Sequence, residues 1–133
     1  MDVESIRHFC LSLPHATEDI QWGDDLLFRV GGKIFAIIDL NPQTPTRLSF
    51  KCTPEQYAEL IEHEGIIPAP YLARYHWVAL EHLDILSSSE LKRFIENSYR
   101  LVFDRLPRKV KAQLQPMQPV MDVDEPERRG PAR

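Results

Sequence analysis

Apolar positions three and four apart open the chain. Val3, Ile6, Phe9, Cys10 and Leu13 predict an amphipathic helix over residues 3–12, closed by Pro14. From Thr17 the period drops to two. Ile20 and Trp22 alternate as a first strand, and Gly23-Asp24-Asp25 turns the chain. Leu26 to Val30 reads as a second strand, Gly31-Gly32 as a two-residue hairpin turn, and Lys33 to Leu40 (KIFAIIDL) as a third strand apolar enough to be central. Pro42 and Pro45 make residues 41–46 a loop, and Arg47 to Lys51 alternates as a fourth strand.

The helical period then returns. Thr53 is placed to cap a helix with Pro54 at its first position and Gln56 completing a capping box. Tyr57, Leu60 and Ile61 give that helix a buried face, and Gly65 stops it. Residues 66–80 read IIPAPYLARYHWVAL. Pro68 and Pro70 forbid a helix and hold the backbone extended, and His76 to Leu80 forms a fifth strand. Ser87 to Ser89 cap a long last helix whose stripe is Leu91, Phe94, Ile95, Tyr99 (or Ser98), Val102 and Leu106. Pro107 breaks it and starts a short additional turn through Leu114. The order α-β-β-β-β-α-β-α predicts an α+β two-layer sandwich: one antiparallel sheet of about five strands with helices packed on one face. Residues 1–114 form the domain. Residues 115–133, proline-rich and charged with no periodic apolar face, are expected to be a disordered tail.

Composition narrows the class. With 133 residues, 43% apolar and 27% charged, the chain is sized for one globular core. No apolar run approaches the roughly 20 residues that span a bilayer. The acidic start Met1-Asp2-Val3-Glu4 lacks the features of a signal peptide, so the cytoplasm is the expected compartment and a monomer the default state. Cys10 and Cys52 are isolated in apolar surroundings and predict buried structural thiols rather than a disulfide. The net charge is −4, but residues 91–114 hold seven Lys/Arg against two Asp/Glu, which makes a basic C-terminal region on an acidic body.

Several short motifs occur in one order. They are Leu13-Pro14-x-Ala16-Thr17-Glu18, Trp22-Gly23, Phe28-x-Val30-Gly31-Gly32-Lys33-Ile34-Phe35-Ala36 and Leu48-Ser49-Phe50-Lys51-Cys52. Pro68-Ala69-Pro70-Tyr71, His76-Trp77-Val78, Ser98-Tyr99-x-Leu101-Val102 and Leu106-Pro107-Arg108-Lys109 complete the set. This ordered set resembles the MmcQ/YjbR family over residues 5–114. The resemblance implies a fold similar to bacterial frataxin (CyaY-like) and, by the family's usual description, DNA binding through a "double wing" of sheet and hairpins.

Read for that role, the candidate nucleic-acid contacts are cations. Arg29 and Lys33 flank the hairpin tip, where they could meet phosphates, although a tight glycine turn with a solvated lysine is the favoured explanation. Arg47 and Lys51 share a strand face with Ser49, a row that fits either a phosphate track or a solvated sheet. Arg74 and His76 are the polar groups of the proline-rich loop, while Tyr71 and Trp77 are expected to plug the core and fix the approach to the fifth strand. Arg93 and Arg100 lie seven apart on one face of the last helix, with Arg108 and Lys109 beyond it.

Other chemistries lack support. No phosphate loop, nucleophile elbow or HExxH is present, so no catalytic residue is assigned and the chain is expected not to be an enzyme. The histidines show no HxxxH or HxH spacing, and the first helix offers only Asp2 and Glu4, far short of a frataxin-like carboxylate ridge; no metal and no cofactor is expected. The leading expectation is a cytoplasmic binding module for DNA. The alternative is a protein–protein or small-ligand adaptor acting through residues 66–77, favoured by the acidic charge and the aromatic density there.

Overall fold

In the computed structural model, residues 1–114 are described, and they form six strands and four α-helices. Helix α1 (Val3–Ser12) is capped by Asp2, whose carboxylate accepts from the Ser5 amide while the Ser5 hydroxyl reaches back. Strands β1 (Thr17–Gln21), β2 (Asp25–Val30), β3 (Lys33–Asp39) and β4 (Leu48–Lys51) follow. Helix α2 (Pro54–Leu60), strand β5 (Ile66–Pro68), a 3-10 turn (Ala73–Tyr75), strand β6 (Trp77–Leu80), helix α3 (Ser88–Asp104) and helix α4 (Arg108–Leu114) complete the chain. Among the described residues no helix is long and apolar enough to cross a membrane.

The strands form one antiparallel sheet in the order β1-β2-β3-β4-β6-β5. The α+β class and the one-sided helical layer are as expected, with a correction of number: the sheet has six strands, not five. The extra strand is β5, inside the proline-rich segment. Pro68 lacks a ladder donor, but β5 is an edge strand, where proline costs no pairing. Boundaries shift as well. Trp22 leaves β1 for the turn, Leu40 leaves β3, and His76 takes a left-handed φ of 67° instead of joining β6.

Alternation sorts the sheet into two faces. Leu26, Phe28, Val30, Phe35, Ile38, Leu48, Phe50, Val78 and Leu80 point to one side and bury against Ile6, Cys10, Leu91, Ile95, Tyr99 and Val102 of the helices. Burying each large side chain of this set contributes about 1.5–3 kcal/mol. A bulge in β3 adjusts the packing: Phe28 pairs with Ala36 and Arg29 with Ile34, so Phe35 is unopposed. Its carbonyl accepts from the buried Ser98 hydroxyl at 2.6 Å, which itself accepts from the Lys51 amide at 2.9 Å. One serine on α3 thus satisfies two strands. The cysteines lie in this core as read, and burial pushes both thiols up to about 12, leaving them without thiolate character near neutrality.

Candidate functional site

The other sheet face carries no helix. A single cross-strand row runs over it: Asp19, Leu27, Ile37, Ser49, Ala79 and Ile67 are register partners from β1 to β5. Its middle is apolar, and the segment after β5 folds back over part of it. Ala69 and Leu72 pack with Trp77, Ala79, Ile34, Ile37 and Ile67 into a small second core. Trp77 is 6% exposed, so it anchors packing as read.

Beside this second core the sheet is left open as a groove of about 610 Å³. Ile34, Ile37, Ser49 and Trp77 line it from the sheet, Asp25, Asp39, Thr46 and Arg47 from the strand ends, and Ala69, Pro70, Tyr71 and Leu72 from the loop. Trp22 contributes from the β1–β2 turn. Tyr71 corrects the core-plug expectation: it is 97% exposed. Trp22 is 69% exposed. Both hold left-handed backbone, with φ of 68° and 54°, a conformation uncommon for large aromatic residues. Proline fixes the residue before it, and Pro70 cannot itself take positive φ, so the reversal falls on Tyr71.

The groove's polar groups are unevenly satisfied. Arg47 donates to the Thr44 carbonyl, to Thr44 Oγ1 at 3.2 Å and to the Asp39 carbonyl at 3.4 Å. Asp39 Oδ1 accepts from the Asn41 amide at 2.9 Å. The Asp25 carboxylate has no hydrogen bond or ion pair among the described residues, and the residue sits directly opposite Asp39 in the ladder. Burial, then Asp39, then Asp24 raise its carboxyl above the ordinary aspartate value.

The cations singled out from the sequence distribute into four groups. Arg29, Arg47 and Lys51 share the open face but are engaged within the chain. Arg29 meets Asp19 at 3.0 Å and the Gly32 carbonyl at 3.1 Å, and Lys51 Nζ donates to the Tyr75 carbonyl at 2.7 Å. Arg74 stacks over Tyr75, and the His76 ring meets Tyr57 edge to face at 5.5 Å. Arg93 and Arg100 lie exposed on α3, Arg93 over Phe94 and Arg100 paired with Glu96 at 2.8 Å. Lys33, Arg108 and Lys109 are exposed, on two elements that touch. A Cβ placed on Gly31 would lie 2.6 Å from Leu106 and 3.1 Å from Val110, so the β2–β3 tip abuts the α3–α4 junction. Arg105 joins them, and burial followed by Arg105 lowers the Lys51 amine. Among the described residues no group of three His, Cys, Asp or Glu side chains is placed to hold a metal ion.

A model of the YjbR family matches residues 11–101. The chain belongs to the YjbR family. Among solved structures it is similar to the crystal structure of Deinococcus radiodurans protein DR2400, a DUF419 domain. The two are 30% identical with a TM-score of 0.74, over 85% of this chain and 87% of that one. A protein from Pseudomonas syringae shares the fold at 23% identity and a TM-score of 0.62, over 77% of this YjbR chain and 99% of its own. No curated protein matches. The groove residues Trp22, Asp25 and Asp39 were missed by sequence reasoning, and Tyr71, within the 66–77 segment of the adaptor alternative, was assigned to the core. The available signal was period two: it sets Asp25 and Asp39 on the face opposite the core at the ends of two paired strands.

Proposed function

We propose that this YjbR-family chain is a non-enzymatic binding module whose site is the open-face groove between the sheet and residues 69–72. The supporting observation is the groove itself. It combines an apolar floor, a few polar groups at one end, a carboxyl with a perturbed pKa, and two exposed aromatic side chains on its walls. Two exposed rings on one groove form more than a scattered surface hydrophobe, and both sit on backbone of positive φ that is costly for a large side chain. Engagement of Arg29, Arg47 and Lys51 within the chain weakens a phosphate track across the same face.

Screening small soluble ligands by backbone-amide NMR tests this reading. Hits are expected to move amides of β2, β3 and residues 69–72, and Tyr71→Ala is expected to weaken them at least several-fold with Tm unchanged, since the ring is 97% exposed. Hits that map to the helical face, or that ignore the Tyr71 change, would falsify it. A second reading, DNA binding, keeps one specific support: the hairpin tip that carries Lys33 abuts the α3–α4 junction that carries Arg105, Arg108 and Lys109, none of them in an ion pair among the described residues.

A further inference from the structure

We infer that the groove selects a small organic cation with a flat apolar body, an aromatic ammonium ion, its ring against Trp22 and Tyr71 and its ammonium against Asp25 and Asp39. The inference rests on the groove being a ligand site and adds the chemistry of the ligand.

Charge decides the sign. Asp25 and Asp39 are register partners, which sets their Cβ atoms about 4.5–5.5 Å apart, and like charges so placed destabilise a sheet. Asp24 adds to the repulsion at Asp25. Arg47 keeps its charge in the groove but pairs with neither carboxylate: its guanidinium donates to the Thr44 and Asp39 carbonyls and the Thr44 hydroxyl. Asp25 has no partner and Asp39 has only the Asn41 amide on one oxygen, so acceptors stand ready and no donor answers them. An anionic ligand would add a third negative group. A cation would remove the repulsion.

The walls decide the body. Aromatic faces attract ammonium groups, by about 0.5–1 kcal/mol at exposed sites and more when water is excluded. Trp22 and Tyr71 are the two most exposed large hydrophobic residues, and both line this one groove. Ile34, Ile37 and Trp77 give an apolar floor for a ring. A bare divalent ion fits poorly, because Ca²⁺ takes 6–8 oxygen ligands and these walls are largely carbon.

One scaffold in three charge states tests this: 2-phenylethylamine, 2-phenylethanol and 3-phenylpropanoate, titrated against the full chain by amide NMR at pH 7. The amine is expected to bind about tenfold tighter than the alcohol, a difference of about 1.4 kcal/mol, with the carboxylate weakest. The Asp25→Asn, Asp39→Asn double variant should bring amine and alcohol within about twofold. Asparagine can still accept from the Asn41 amide, and Asp25→Asn alone, which breaks no bond, should remove part of the amine's advantage should the double variant fold poorly. Equal binding of amine and alcohol, or tightest binding of the carboxylate, overturns the cation preference and leaves the groove reading standing. Failure of all three probes to move groove amides at about 10 mM overturns both.

Discussion

Single residues in this chain carry opposite pH signatures. Glu18, held by Arg7 through contacts of 2.6 and 2.8 Å, has a lowered carboxyl pKa, so the stability it contributes is lost as pH falls through that lowered value. Asp25 is the reverse case. Burial and the facing Asp39 and Asp24 raise its pKa, and Arg47, the cation of the same groove, is directed elsewhere. The folded chain therefore holds that proton more tightly than the unfolded chain does. Stability falls as pH rises from the ordinary value of 3.8 through the raised one, and the penalty persists above it. Asp25→Asn is accordingly expected to raise Tm at pH 7, with the gain fading below pH 3.8. A variant less stable than the parent at pH 7, or a gain that grows in acid, would contradict this origin. The same substitution weakens an aromatic ammonium ligand, so this position exchanges stability for binding.

Among the elements, the β2–β3 hairpin does two jobs. Its glycines take φ of 58° and 84°, as a two-residue turn requires, and Gly31 also lies under Leu106 and Val110. Alanine at either position meets the same left-handed penalty, about 1–3 kcal/mol, but only at 31 does its methyl enter the α3–α4 junction. Chemical denaturation is expected to show Gly31→Ala costing more than Gly32→Ala, for which no neighbour lies within 4 Å. Equal losses would mean that the junction yields freely. That turn was readable in the sequence because two adjacent glycines have few other uses, and the α2 capping box was readable for a similar reason: Thr53 and Gln56 form the reciprocal bonds their spacing implies. Strand β5 was not, since two prolines mask three paired residues whose place is set by partners in β6, ten to fourteen residues on. The groove was hidden for a deeper reason. Trp22 and Tyr71 look like core residues by type, and only left-handed backbone, decided by the turns around them, directs them outward.

For the whole molecule, the strand direction is also a charge axis. Asp24, Asp25 and Asp39 sit at one end of the sheet, by the groove and beside Arg47, while Lys33 and Lys51 lie at the hairpin-tip end, which abuts the α3–α4 junction carrying Arg105, Arg108 and Lys109. The basic region seen in the sequence is thus real in space, but it is split: Arg93 and Arg100 stay on the outer face of α3. A surface of this size could neutralise about four phosphates, which gives a log–log salt slope of about −3.6 on duplex DNA. Binding at low salt is therefore expected to be weak and to vanish toward physiological salt. Replacing Arg105, Arg108 and Lys109 by glutamine should abolish it, and Trp22→Ala with Tyr71→Ala should leave it intact. DNA binding that survives physiological salt, or that depends on Arg29 and Arg47, would move the interface onto the open sheet face and put polyanion and groove ligand in competition. No binding at tens of micromolar protein and low salt would remove the DNA reading and leave the groove as the chain's one candidate for recognition among the described residues.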